Sequence, residues 1–239
     1  MKNGRQNIIG VIGGMGPQAT AEFYRILIDK SIREYGAVNN DDFPSVVVDS
    51  VPVPDFISSQ EHVDRARSML IDRTRRLNAY GVRRIGIACN TAHLLLNDLR
   101  AVSGAPIVSI MDETARLVSE KNFVRVGLLA SPVTYKTELY QSALKGTATV
   151  IIPNTKMQSD LDDLIRAVIS GKNMKKLRTV AYPLLESFIR NHKVDAIILG
   201  CTELPLIFEA PMSVPIISSL DILADSLLSY CYGTKKEIV

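Results

Sequence analysis

The chain alternates short apolar runs, rich in β-branched residues, with longer amphipathic stretches, and it does so twice. NIIGVIG precedes PQATAEFYRILIDKSIREYG, PSVVVDS precedes EHVDRARSMLIDRTRRLNAYG, and RRIGIAC closes the first series. Runs such as IIGVI and IGIA are apolar on both faces, as strands are in a parallel sheet covered by helices on both sides. The pattern therefore predicts an α/β fold built from βαβ units. The second half restarts with VRVGLLAS, a helical YKTELYQSALKG, TVIIP, two helical segments from about Ser159 to Asn191, and DAIILGC.

Aligning IIGVIGGMGPQAT with VRVGLLASPVTYKT, and RRIGIACNTAH with VDAIILGCTEL, sets Gly10 opposite Gly127 and Cys89 opposite Cys201. The two intervals are 79 and 74 residues. Matched spacing predicts two similar lobes, each ending a strand in a cysteine, with the thiols meeting across a cleft. On this reading the first lobe spans 1–106 and takes back 212–239, and the second spans 107–211. The strand VPIIS and the helix LDILADSLLSYC then return to the first lobe.

The 239 residues, 46% hydrophobic and 22% charged, are enough for one large domain or two compact lobes. A net charge of +3 from scattered basic residues offers no footprint for nucleic acid and no polybasic patch for a membrane. No run of about 20 apolar residues is present, and the N-terminal stretch lacks a signal-peptide cleavage pattern, so a cytoplasmic protein is expected. Cys89, Cys201 and Cys231 are odd in number and far apart, which predicts free thiols rather than a disulfide framework or a metal site. Cys231 lies in an apolar helical stretch and reads as a packing residue.

Cys89 and Cys201 each follow an apolar strand and precede a polar pair, Asn90-Thr91 or Thr202-Glu203, that opens a helical stretch. In an open parallel sheet, ligands bind at the carboxyl ends of the strands. A thiol there would feel the positive end of the following helix. The backbone N–H groups of Asn90, Thr91 and Thr202, with the two hydroxyls, suit a small carboxylate.

His93, four residues after Cys89, and Glu203, two after Cys201, are candidates to tune the thiols; each also reads as an ordinary structural residue. His62 and His192 read as surface helix residues. GGMGPQAT matches G-x-G-x-x-A through Gly14, Gly16 and Ala19, but Asp49 lies 35 residues after Gly14, where a ribose-binding acid would lie at about 20. The turn reads instead as the floor of a small-molecule site, with Pro17 at the first helical position.

IGVIGGMGPQAT, ACNTAH and GCTELPL, in this order and spacing, resemble the aspartate/glutamate racemase family over essentially the whole chain. The resemblance implies two pseudo-symmetric α/β lobes, an active site at their interface, and racemisation of a small amino acid without cofactor or metal. It assigns the catalytic roles to Cys89 and Cys201. It gives substrate contacts to Met15, Asn90, Thr91 and Thr202, sets Ser131 and Thr134 where the second lobe faces the cleft, and implies a homodimer.

Where aspartate-specific members carry an arginine and a lysine for the distal carboxylate, this chain has Phe56 and Ile169. Gln60 is the alternative polar contact for the substrate side chain, with Lys172 further off, as in broad-specificity members. Related cysteine enzymes that isomerise maleate, racemise hydantoins or decarboxylate malonates are the alternative reading, and a non-catalytic cytoplasmic protein that binds small anions is a third.

Overall fold

The structure is a computed structural model that describes residues 7–54, 60–209 and 211–233. It is an α/β fold with two parallel sheets flanked by helices, and the chain divides into two compact units. One runs to Ser109 and resumes at Leu220; the other is Ile110–Ser219.

In the first unit, β1 (Ile9–Gly13), β2 (Val46–Ser50) and β3 (Arg84–Ile87) pair in the order β2-β1-β3, all parallel. Three helices connect or follow them: α1 (Pro17–Tyr35), α2 (Gln60–Tyr80) and α3 (Leu96–Val102). Pro17 starts α1, where its missing N–H costs nothing, and Gly36 ends it at φ 69°. Every residue of β1 is buried, as expected for a central parallel strand.

The second unit begins with α4 (Ile110–Glu120) and continues through β4 (Arg125–Ala130), α5 (Pro132–Lys136), α6 (Leu139–Ala143) and β5 (Thr149–Ile151). It ends with α7 (Thr155–Ile169), α8 (Met174–His192), β6 (Ala196–Gly200) and β7 (Ile216–Ser218). Its sheet has the order β5-β4-β6-β7, again parallel. The stretch read as one helix, YKTELYQSALKG, is divided: Glu138 takes φ 52° between α5 and α6.

The internal repeat extends one strand further than the sequence pattern suggests. Beside β3, Ile85 forms a parallel bridge with Ile107: its N–H donates to Pro106 O at 2.9 Å, and its carbonyl accepts from Val108 N at 2.9 Å. Beside β6, Ile197 faces Ile216 and donates to Pro215 O at 2.9 Å. Both sheets thus read 2-1-3-4, with a Pro-Ile step in the fourth position.

Two expectations are corrected by this pairing. The segment at Ile107 belongs to the first sheet, and VPIIS supplies β7 of the second rather than returning to the first lobe. The chain changes unit after each fourth strand, because that strand pairs the otherwise open edge of β3 or β6 before the following helix leaves.

Among the described residues, α9 (Ser219–Tyr232) alone joins the first unit after β7. Gly86 of β3 admits it: a Cβ there would lie 2.8 Å from Leu227 and 3.2 Å from Leu223. Lys30 of α1 holds the outer side of α9 through Asp225 at 3.1 Å and Asp221 at 3.5 Å. Each unit has its own apolar core; Cys89 lines that of the first and Cys201 that of the second.

Candidate active site

The chemistry-bearing residues lie at the carboxyl ends of the strands, where parallel sheets leave backbone groups unpaired and loops free to vary. In the first unit, the turn after β1 is shaped by glycine. Gly14 has φ 89°, and a Cβ on it would lie 2.4 Å from Val51 N and 2.6 Å from Val51 O, so only glycine lets the turn pass over that backbone. Thr20 braces the turn, its Oγ1 accepting from Gly14 N at 2.8 Å and donating to Gly16 O at 3.0 Å. The Met15 side chain packs half-buried on the first unit's core. Asp49, the residue of the discounted ribose reading, lies 3.6 Å from Arg73.

Beside that turn, Ala88 N donates to Ile12 O at 2.9 Å, extending the ladder one residue past β3. Cys89 follows with 7% of its surface exposed, then the buried Asn90 and the half-buried Thr91. No α-helix follows directly. Thr91–Leu95 is a 3-10 turn, and α3 starts only at Leu96.

His93 turns inward to set its Nδ1 2.9 Å from Cys89 O, so the ring engages the cysteine's backbone carbonyl. Burial holds the His93 pKa below the usual imidazole range, partly offset by the carbonyls of Cys89 and Val108. A neutral ring donating from Nδ1 fits this setting.

In the second unit, Ala130 pairs with Gly200, so Ser131 and Cys201 are the first residues off adjacent strands. Ser131 caps α5: its Oγ accepts from Thr134 N at 3.4 Å and lies 3.1 Å from Thr134 Oγ1. Thr134 is fully buried. Cys201, 8% exposed, donates its thiol proton to Glu203 Oε2 at 3.0 Å, and Thr202 Oγ1 donates to the same oxygen at 3.1 Å.

The turn after Cys201 is again 3-10, over Leu204–Leu206. The helix-dipole support expected for both thiols is therefore much reduced, since short 3-10 turns align few peptide dipoles. At Cys201 the thiol instead donates to the Glu203 carboxylate, a contact that holds the thiol proton rather than stabilising a thiolate.

Three supports escaped the sequence pattern. Tyr140 fills the space over Gly200, where a Cβ would lie 2.9 Å from its ring. Arg178 of α8 ties down the Cys201 loop, donating to Leu206 O at 3.0 Å and Ile207 O at 3.2 Å. Tyr135 Oη accepts from Ala130 N at 2.6 Å and donates to Leu128 O at 2.9 Å, and burial pushes its phenol above the usual range. The role of Tyr135 follows from β5 stopping opposite Gly127, which no local pattern announces.

Phe56 lies outside the described residues. Gln60 opens α2, but its side chain is also outside them. Ile169 ends α7 with 46% of its surface exposed, and Lys172 is exposed after it.

The broad-specificity amino-acid racemase RacX of Bacillus subtilis is 31% identical over 223 residues, which is 93% of this chain and 97% of that protein. Among solved structures, the Picrophilus torridus aspartate racemase superposes with a TM-score of 0.82 at 28% identity, over 96% of this chain and 95% of that one. PH1733, an aspartate racemase homologue from Pyrococcus horikoshii, gives a TM-score of 0.79 at 26% identity, over 95% of this chain and 99% of that one. The Asp/Glu/hydantoin racemase family model matches residues 12–227. With the two strand-end cysteines in corresponding register, the chain belongs to the Asp/Glu/hydantoin racemase family.

Proposed function

We propose that this protein is a cofactor-independent amino-acid racemase of broad specificity that uses Cys89 and Cys201 as its two acid/base groups. The observation that carries the reading is their equivalence. Each stands four residues after the isoleucine, Ile85 or Ile197, that pairs with a fourth strand, and each is nearly buried at the carboxyl end of its sheet.

Inverting an α-carbon through a planar carbanion needs a base on one face and an acid on the other. A thiolate removes the α-proton, and a neutral thiol delivers one to the opposite face; the reverse reaction exchanges these roles. The backbone N–H groups and side chains of Asn90, Thr91 and Thr202 hold the carboxylate, whose oxygens take up charge in the transition state. Ser131 and Thr134 contact the substrate from the second unit, the backbone at Met15 approaches it from the first, and Gln60 meets its side chain. Glu203 and His93 are positioning residues for Cys201 and Cys89.

Broad specificity is supported by the similarity to RacX and by Phe56 and Ile169 at the positions of the two distal-carboxylate cations. The protein works in the cytoplasm as a homodimer in this reading.

The test is α-deuterium exchange in D₂O with a panel of single-enantiomer amino acids. Exchange with at least one is expected, and Cys89→Ser and Cys201→Ser should each abolish racemisation. Exchange persisting in the double serine variant would overturn the two-thiol mechanism. No exchange with any amino acid would favour the related isomerase and decarboxylase reactions or simple anion binding.

A further inference from the structure

The chain passes between its two units at two places, before Ile110 and after Ser219, so these residues are the two ends of the second unit. One side chain of that unit reaches both ends. Tyr140 of α6 is fully buried, and its hydroxyl is hydrogen-bonded to the side chains of Thr114 in α4 and Ser219, themselves fully buried. Thr114 gives its own hydroxyl proton to Ile110 O at 2.7 Å. The phenol therefore donates to Thr114, and its oxygen accepts from Ser219. A single oxygen ties the first turn of α4 to the last residue of the unit.

The ring of the same side chain bears on the strand end that carries Cys201. It lies over Gly200, where a Cβ would come 2.9 Å from the ring, and Cys201 follows directly. Leu199 pairs with Ser218, which sets Ser219 beside Gly200, and α6 packs on α4. Burial, reinforced by the negative charge that Cys201 can carry, raises the Tyr140 pKa above the usual phenol range. The hydroxyl thus stays protonated and serves as a hydrogen-bonding group. A phenylalanine would fill the space over Gly200 without needing any polar partner, so the hydroxyl and its two contacts call for a reason.

We infer that Tyr140 is a positioning residue for Cys201, holding the thiol in fixed register with the two ends of its unit. The inference rests on the racemase reading, in which the carbanion formed by one cysteine is protonated by the other. Cys89 belongs to the first unit, and the chain joins that unit to the one holding Cys201 at Ile110 and Ser219. Slack between Cys201 and those ends becomes misplacement of one acid/base group relative to the reacting carbon. A misplacement of about 1 Å is enough to cost about 100-fold in rate.

The experiment isolates each thiol with the enantiomers of β-chloroalanine. A thiolate takes the α-proton, the C–H electron pair moves into the Cα–Cβ bond and chloride leaves, giving 2-aminoacrylate; no second thiol is needed. The enantiomer whose elimination Cys201→Ser abolishes reports on Cys201, and the other reports on Cys89. Tyr140→Phe keeps the ring on Gly200 and removes both hydrogen bonds, while Ser219→Ala removes one of them from its other side. In Tyr140→Phe, elimination from the Cys201 enantiomer should fall about tenfold or more and elimination from the Cys89 enantiomer should stay as in the wild type. Ser219→Ala should shift the ratio in the same direction. Labelling of Cys201 by iodoacetamide, which needs no substrate, should speed up about threefold or more relative to Cys89.

A general structural role for Tyr140 would lower both eliminations alike. That result, or elimination and labelling ratios unchanged in both variants, overturns the inference. Deuterium exchange by the wild type keeps the two readings apart: exchange with unchanged ratios overturns the role of Tyr140 alone, whereas no exchange with any amino acid removes the racemase reading and this one with it.

Discussion

The Cys201 thiol lies 3.0 Å from Glu203 Oε2 and donates to it, whereas the residue flanking the other thiol, His93, turns its Nδ1 to the Cys89 carbonyl oxygen at 2.9 Å. The two cysteines occupy equivalent places in the repeat but have unlike neighbours. Glu203 is buried and accepts from both the thiol and the Thr202 hydroxyl, so it can hold the Cys201 proton in place and receive it when that cysteine acts as base.

Glu203→Gln keeps an acceptor oxygen but cannot take up a proton. Racemisation should fall by about 100-fold, in line with the loss of a proton-transfer partner, while the thermal midpoint moves little. Enantiomers have equal free energies, so kcat/KM must fall equally in both directions. The asymmetry should emerge in the deuterium isotope effects, with the larger effect in the direction where Cys201 removes the proton. Equal isotope effects would deny Glu203 this role.

His93 gives a pH dependence with a definite sign. Its folded pKa is depressed by burial, so below the unfolded value of about 6.5 the unfolded chain binds a proton that the folded one does not. Its contribution to stability is complete above about pH 6.5 and is lost as the pH falls through the folded value. The thermal midpoint of the wild type should drop more steeply between pH 6.5 and 5 than that of His93→Gln. Parallel curves would show that the ring does not stay neutral in the folded protein.

The α/β class and the paired cysteines were legible because they depend on short-range pattern: β1 and β6 are apolar on both faces, and the polar pairs after Cys89 and Cys201 mark the strand ends. The fourth strands are not legible in the sequence, because a three-residue run such as Ile216–Ser218 carries no information about which sheet edge it will pair. The 3-10 turns resemble helix starts in the sequence because the same polar pair opens either. Tyr135 and Gln158, whose side-chain amide donates to Ala130 O, are invisible for a further reason. Their roles come from where β5 ends, a tertiary fact about residues 5–28 positions away from the groups they satisfy.

Gly14→Ala tests the turn beneath the first-unit site. A left-handed φ costs an L-residue about 1–2 kcal/mol, and the overlap with the Val51 backbone adds an overpacking cost of about 1–3 kcal/mol. A loss of about 2–5 kcal/mol is expected, read as a lower denaturation midpoint. Thr20→Val, which removes the two hydrogen bonds of the brace without adding bulk, should cost about 1–3 kcal/mol.

Tyr135→Phe removes the hydroxyl that stands in for a strand at the end of β4. Ala130 N–H and Leu128 C=O lose their partner, at an expected cost of about 1–3 kcal/mol. Because Ser131 follows directly, KM should rise more than kcat falls if the displaced turn is a binding element. A stability loss with both constants unchanged would confine Tyr135 to the scaffold.

Cys231 provides the control for thiol chemistry. It is more exposed than Cys89 or Cys201, so accessibility alone would make it the first to react. Burial of its sulfur nonetheless pushes its pKa up to about 11, with Arg84 opposing the shift only in part, and the Sγ donates to Asn7 O at 3.5 Å. Alkylation proceeds through the thiolate, and at pH 8 only about one thousandth of a thiol with that pKa is ionised. Iodoacetamide at pH 8 should therefore spare Cys231, and its modification rate should rise about tenfold per pH unit up to about pH 11. Cys231→Ser should leave racemisation and its pH profile unchanged. Mass spectrometry of the alkylated peptides checks the first expectation; rapid labelling of Cys231 at pH 8 would mean that its thiolate is stabilised by a group other than Arg84.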